Sequence, residues 1–168
     1  MPSLYTASVP AFIRGLTSLS HILTVGETYA KEHKISESDF TEARLADDML
    51  PLTFQVQNAT NAVRNTLTLV AGLTNIAAFE NTEKSFADLQ ARIETTLKFL
   101  KGVEEKDFEG AATRSFERQG KTWQGSDFLS QNAIPNFYFH ISIAYAILRS
   151  KGVQIGKQDY LNGGQNKA

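Results

Sequence analysis

The stretch N-F-Y-F-H-I-S-I-A-Y-A-I-L-R-S-K-G, Asn136 to Gly152, carries Phe137, His140, Ile141, Ala144, Ile147 and Leu148 at helical spacing. Its opposite face, Tyr138, Ile143 and Tyr145, is hardly more polar, so other helices must wrap it and it reads as the core helix of the domain. Within it Asn136 and His140 stand four residues apart on one face, a separation at which two side chains converge on one ligand. No other polar pair of the helix does so. Arg149 and Lys151 complement the dipole in the last turn, and Gly152 stops the helix.

Just upstream, Ser126 reads as the cap of a short helix, Asp127 to Gln131, and Pro135 precedes the core helix. From Glu104 to Gly125 the helical period disappears. Gln119-Gly120, flanked by R-S-F-E-R and K-T-W-Q, predicts a short hairpin with Phe116 and Trp123 on one side. Trp123 then serves either as part of a lid over a pocket or as cover for one end of the molecule. Before this region, S-F-A-D at Ser85 to Asp88 resembles a capping box and opens a third helix running to Val103. Phe86, Leu89, Ile93, Leu97 and Leu100 form its stripe, with Arg92, Glu94 and Lys98 read as a solvated outer surface. Downstream, the tail from Val153 turns rich in Gly, Asn, Gln and Lys after Leu161, and residues 162–168 read as disordered.

A second helix is expected from Asp47 to Ala71, capped by Asp47 or Asp48, with Pro51 in its first turn and Gly72 as its stop. If regular from that start, it places Asp48 and Gln55 two turns apart near the azimuth of Leu52 and Ala59. The plain readings are a cap for Asp48 and a boundary residue for Gln55; the functional reading makes both ligands of a substrate. Phe54, Asn58, Asn61 and Asn65 mark the other face, where Phe54 suits a subunit contact. A first helix spans Ser3 to Lys31 with a kink expected at Pro10. His21 is read as a boundary side chain and His33 as part of a solvated helix end.

Composition excludes several classes. A chain of 168 residues, 42% hydrophobic, suits one domain, taken as residues 1–161. Its 17 basic and 18 acidic side chains leave a net charge of -1, which argues against nucleic acid as a partner. The absence of cysteine excludes disulfides, thiolate zinc sites and a cysteine nucleophile. No secretory pattern opens the chain and no run of 18 residues is apolar, so a soluble, cytoplasmic protein without membrane contact is expected.

Four long helices with a long, partly irregular connection before the last one make an all-α four-helix bundle. The segments R-L-A-D-D-M-L-P-L-T-F-Q-V-Q-N-A (Arg44 to Ala59), F-A-D-L-Q-A-R-I-E-T-T (Phe86 to Thr96) and P-N-F-Y-F-H-I-S-I-A-Y-A-I-L-R-S-K-G-V (Pro135 to Val153), followed by G-K-Q-D-Y-L, resemble a fungal and bacterial family of uncharacterised proteins within the DinB/YfiT-like bundles. Metal-binding members of that superfamily carry two histidines four apart on the last core helix, ahead of L-R-x-x-G, and a third on the second helix. By that register His140 matches the second histidine and Asn136 replaces the first, while no histidine occurs between Lys34 and Phe139. The resemblance therefore implies a degenerate metal site, no cofactor and a homodimer.

Three functions follow. In the first, the protein is a metal-independent small-molecule binder or enzyme in which His140 is the acid, base or hydrogen-bond donor, and Asn136, Gln55, Asp48 and Trp123 contact the substrate. In the second it is a structural or interaction protein whose metal site has decayed. The third is a metal-dependent hydrolase or transferase using His140 and Asp48. Whether the protein is an enzyme stays open at this level, since fold does not set function.

Overall fold

The computed structural model describes residues 3–164. In chain order the helices are α1 (Leu4–Glu32), the short α2 (Ser38–Thr41), α3 (Leu52–Asn65) and α4 (Phe86–Lys101). A hairpin of β1 (Ser115–Arg118) and β2 (Lys121–Gln124) leads into α5 (Gly125–Phe128), α6 (Ile134–Ser150) and α7 (Lys157–Asn162). None of these helices is long and apolar enough to cross a membrane.

Helices α1, α3, α4 and α6 form the bundle, and specific contacts set their directions. Gly15 faces Phe137 and Ile141 while Gly26 faces Leu148, so α1 and α6 run parallel. At Gly15 the fit is so close that a Cβ would fall 2.5 Å from the Phe137 ring. Ser20 donates to Gln90 at 2.7 Å and Tyr5 meets Phe108 beyond the end of α4, so α4 runs antiparallel to α1. Helices α3 and α6, the most extensively packed pair, are antiparallel, with Gln55 against His140 and Asn65 near Asn136. Consequently α3 and α4 run the same way, and residues 71–85 must travel back along the bundle. An extended segment covers about 3.3 Å per residue against about 1.5 Å for a helix, so this crossover is long enough without secondary structure of its own.

Polar anchors hold the crossover down. Arg64 Nε donates to the Ala77 carbonyl at 3.1 Å, and Gln57 donates to Glu83 at 2.8 Å. The third anchor is Arg92 on α4, which is 3% exposed and pairs with Glu83 at 2.7 Å. This corrects the expectation of a solvated Arg92. The residue sits between Leu89 and Ile93 on the apolar stripe, and the crossover folds over it.

Two helix starts also differ from expectation. Helix α3 begins at Leu52 with Pro51 as its cap, because the proline ring forces the preceding residue out of helical geometry. Asp47 and Asp48 therefore lie in an exposed turn before the helix, and Asp48 shares no face with Gln55. Pro135, expected ahead of the core helix, lies within a helical run from Gly125 to Ser150. A π-helical turn, Leu129–Ala133, joins α5 to α6 and widens the ladder where the proline ring would otherwise clash. Another π-helical turn, Thr66–Val70, extends α3 to the end expected for the second helix.

Elsewhere the expected devices are present. Ser85 and Asp88 form a reciprocal capping box at α4, and Ser3 caps α1, which continues through Pro10. Gln119 and Gly120 both take positive φ, 52° and 72°, as a two-residue hairpin turn of the primed type requires. Phe116 pairs with Trp123 across the hairpin, and both rings stand edge-on to Phe128, at 5.3 and 5.5 Å. His21 meets Asp159 of α7 at 2.8 Å, which docks the last helix on α1. Of the tail expected to be disordered, residues 165–168 lie outside the described residues.

Candidate functional site

His140 lies on the buried stripe of α6 and is 8% exposed. Its Nδ1 is 2.8 Å from Oε1 of Gln55, a residue of α3 that is itself 3% exposed. The Leu50 carbonyl fixes the rest. It can only accept, so the end of the Gln55 amide 2.8 Å from it is the NH2 group, and the oxygen faces the imidazole. Nδ1 must then carry the proton, and Nε2 is left with a lone pair. Nε2 makes no hydrogen bond to any described residue, and it is not among the sealed side-chain atoms, of which Ser18 Oγ is the unpartnered one.

Aromatic rings stand on two sides of the imidazole. Phe54 approaches edge-to-face with centroids 6.0 Å apart, and Phe139, which is 53% exposed, does so at 5.3 Å. Burial pulls the His140 pKa below its ordinary value of 6.5, so the ring is neutral near pH 7. A neutral ring with Nδ1–H tied back and Nε2 uncommitted is oriented to accept a proton or a hydrogen bond.

One turn away, Asn136 lines a recess of about 290 Å³ between α3, the crossover and the hairpin. Asn58, Asn61 and Asn65 line it from α3, together with Arg64, and Arg118 reaches it from β1. His140 is not among its lining residues. The polar face of the second helix, read from sequence as a subunit contact, is thus folded under the crossover, and Phe54 packs against His140.

Of the residues singled out in the sequence, Gln55 and His140 come together directly, whereas Asn136, one turn before His140, faces the separate recess. Asp48 stays on its exposed turn. Trp123 is occupied with Phe128 and with Lys121, whose Nζ lies 3.6 Å from its ring centroid. Arg118 was not singled out, although strand alternation places it on the same face as Phe116.

The donors do not fit a metal. Among the described residues no three histidine or carboxylate side chains gather closely enough to hold an ion, and His140 has only amides nearby. Amide oxygens and a single imidazole fall short of the three protein ligands usual in catalytic zinc sites.

A family model described as a domain of unknown function (DUF1993) matches residues 4–161. The crystal structure of a DinB family member protein from Shewanella denitrificans superposes with a TM-score of 0.90 at 37% sequence identity, covering 98% of this chain and 95% of that one. No curated protein matches the chain.

Proposed function

The chain belongs to the family described as a domain of unknown function (DUF1993), and within its DinB-like bundle we propose that His140 is the working group of a metal-independent small-molecule-binding site. One observation carries this reading: on a largely buried, tautomer-locked imidazole, Nε2 alone is left without a partner among the described residues and is not sealed off, so a ligand can reach it. Gln55 holds the ring but supplies no charge, so His140 acts as a hydrogen-bond acceptor or as a base toward an acidic proton of the ligand, rather than as a stabilised imidazolium. Asn136 contributes its amide from the adjoining recess.

A structural reading has its own support, the 8% exposure of His140. In that case the imidazole only ties α6 to α3. Nitrogen-detected NMR of the His140 ring separates the two. Titration with a panel of small carboxylates, phosphates and polyols should move the Nε2 resonance and not Nδ1, and binding should be lost in His140→Gln. A Nε2 signal that no compound moves, with every bound compound retained by the variant, would leave the structural tie. The homodimer belongs to the same reading. Phe139 and Leu50, 53% and 44% exposed, flank the Gln55–His140 pair and suit a second copy, so Phe139→Glu should shift sedimentation from dimer to monomer.

A further inference from the structure

We propose that the recess between α3, the crossover and the hairpin binds the oxyanion head of a small molecule, with Arg64 and Arg118 as its charge partners. The proposal rests on the reading of His140 as the working group, because Asn136 belongs to this recess and stands one turn before His140.

The recess is unusual in what its side chains leave unused. The Arg64 side chain spends only Nε, on the Ala77 carbonyl, and the Arg118 side chain makes no hydrogen bond to a described residue, its guanidinium resting 5.6 Å from the Phe128 ring centroid. Neither forms an ion pair with any described carboxylate, and no carboxylate lines the recess. Of the two acids on the crossover, Glu83 is committed to Arg92 and Gln57, and Glu80, between the lining residues Phe79 and Asn81, is exposed and does not line the recess. Both arginines are half-buried and line the same small recess, so an anion seated there would gain two attractions.

The amides supply the rest of a polar cradle. Asn58 donates to the Phe54 carbonyl at 3.0 Å, which leaves its oxygen free. Asn61 accepts from Arg92 at 3.0 Å, which leaves its NH2 free. Asn65 and Asn136 have no side-chain hydrogen bond to any described residue, so each offers a donor and an acceptor. Planar guanidiniums suit carboxylate and phosphate alike, and the amides suit hydroxyl or amide groups beside that head. At about 290 Å³ the space lies at the small end of ligand pockets. A small polar metabolite carrying one carboxylate or phosphate fits these requirements, and an apolar or cationic one does not.

The test titrates the full chain with sodium phosphate, sodium succinate or choline chloride at constant ionic strength, following the side-chain amide signals of Asn58, Asn61, Asn65 and Asn136 and the His140 ring by NMR. Phosphate or succinate should give saturable shifts of these amides and choline chloride none; whichever oxyanion saturates at the lower concentration identifies the head group. Arg118→Gln on the hairpin and Arg64→Gln should each weaken binding roughly tenfold or more, as loss of a charge-assisted hydrogen bond implies. Arg64→Lys, which keeps the charge if the crossover needs it for folding, should retain part of the affinity. Absence of saturable binding by either oxyanion, or equal binding by wild type and both Gln variants, overturns the proposal. Oxyanion binding that persists in His140→Gln and leaves the imidazole signals unmoved keeps the recess and removes the working role of His140. A His140 ring that responds to a neutral polyol while the amides respond to no oxyanion removes the recess alone.

Discussion

Helix α3 reaches its two neighbours through two buried polar links that differ in one respect. Toward α4, Arg92 donates to Thr60, Glu83, the Gln57 carbonyl and Asn61, using four of its five N–H groups, and its guanidinium lies 4.1 Å from the Phe79 ring centroid. Toward α6, His140 uses one of its two nitrogens. The first link is close to saturated, with one N–H of Arg92 left over, so its work is finished when the crossover is in place. The second keeps an unused lone pair, one turn from a recess whose amides retain unused donors and acceptors. Buried polar groups can thus be sorted into scaffold and site by how much of their hydrogen-bonding valence is left over.

Breaking the saturated link should have the largest effect. Arg92→Ala removes four hydrogen bonds of a buried guanidinium and leaves the half-buried Glu83 with only Gln57 as its side-chain partner, and should lower stability by about 3–5 kcal/mol in urea unfolding. Pairing Arg92→Met with Glu83→Leu should recover much of this, since the desolvation of both charges disappears with them. A loss below about 1 kcal/mol for Arg92→Ala would mean the pair behaves as a surface salt bridge.

The half-used link should respond less. Gln55→Leu leaves the Nδ1–H of His140 buried without an acceptor, at a cost of about 1–3 kcal/mol. The same change frees the tautomer, so nitrogen NMR should show a mixture of Nδ1–H and Nε2–H forms where the wild type shows one. Gln55→Glu sharpens the point by placing a carboxylate on Nδ1. The pKa of His140 should then rise, which a titration of its ring carbon signal would measure.

The two links also separate by pH. His140 titrates below its ordinary value of 6.5 in the folded chain, because burial penalises its charged form. Over that interval the unfolded chain binds more protons, so stability rises with pH; it is undiminished above about 6.5 and falls on acidification below it. Burial pushes the Glu83 carboxyl up, but hydrogen bonds from Arg92, its own backbone and Gln57, with the Arg92 charge, hold it below its ordinary value of 4.5. Its contribution is therefore fully present above 4.5 and is lost only as the pH falls further. Denaturation midpoints measured from pH 4.5 to 8 should slope in the wild type and lose part of that slope in His140→Gln, while Glu83→Gln should leave the slope in place.

How far these links could be read beforehand follows from where their partners lie. Phe137, His140 and Ile141 are spaced along one helix, so periodicity alone puts the imidazole inside. Gln55 is legible in the same way, but Asp48 is not, because a steric effect local to Pro51 moves the helix start past it. Arg92 fails for a different reason. It lies on the stripe between Leu89 and Ile93, and reading it as solvated followed from its charge, since Glu83 sits in a crossover with no period to place it. The recess is a product of that crossover too: the asparagines of α3 are visible as a polar face, and nothing local says that Ala77 to Glu83 will roof it. Phe116 and Trp123 were legible from the hairpin, whereas Arg118, two residues from Phe116, needed the register and the neighbouring helix to acquire a role.

The smallest expected effect is also the sharpest divider between scaffold and site, because it compares the same residue type on both sides of one recess. Asn61 accepts a hydrogen bond from the buried guanidinium of Arg92, and Asn61→Ala should lower stability by about 1.5–3 kcal/mol, the range for bonds to charged groups. Asn136 makes no side-chain hydrogen bond to a described residue, and it is half-buried on the rim of the same space. Asn136→Ala should therefore move the unfolding midpoint by no more than about 0.5 kcal/mol, as substitutions away from structural features do. Its amide would then contribute to the fold neither by bonding nor by packing, and the reason for an amide at that position would have to be sought in what enters the recess. If Asn136→Ala instead costs as much as Asn61→Ala, the amide is held by the fold after all, and the distinction between saturated and unsaturated groups fails at the place where it was drawn most finely.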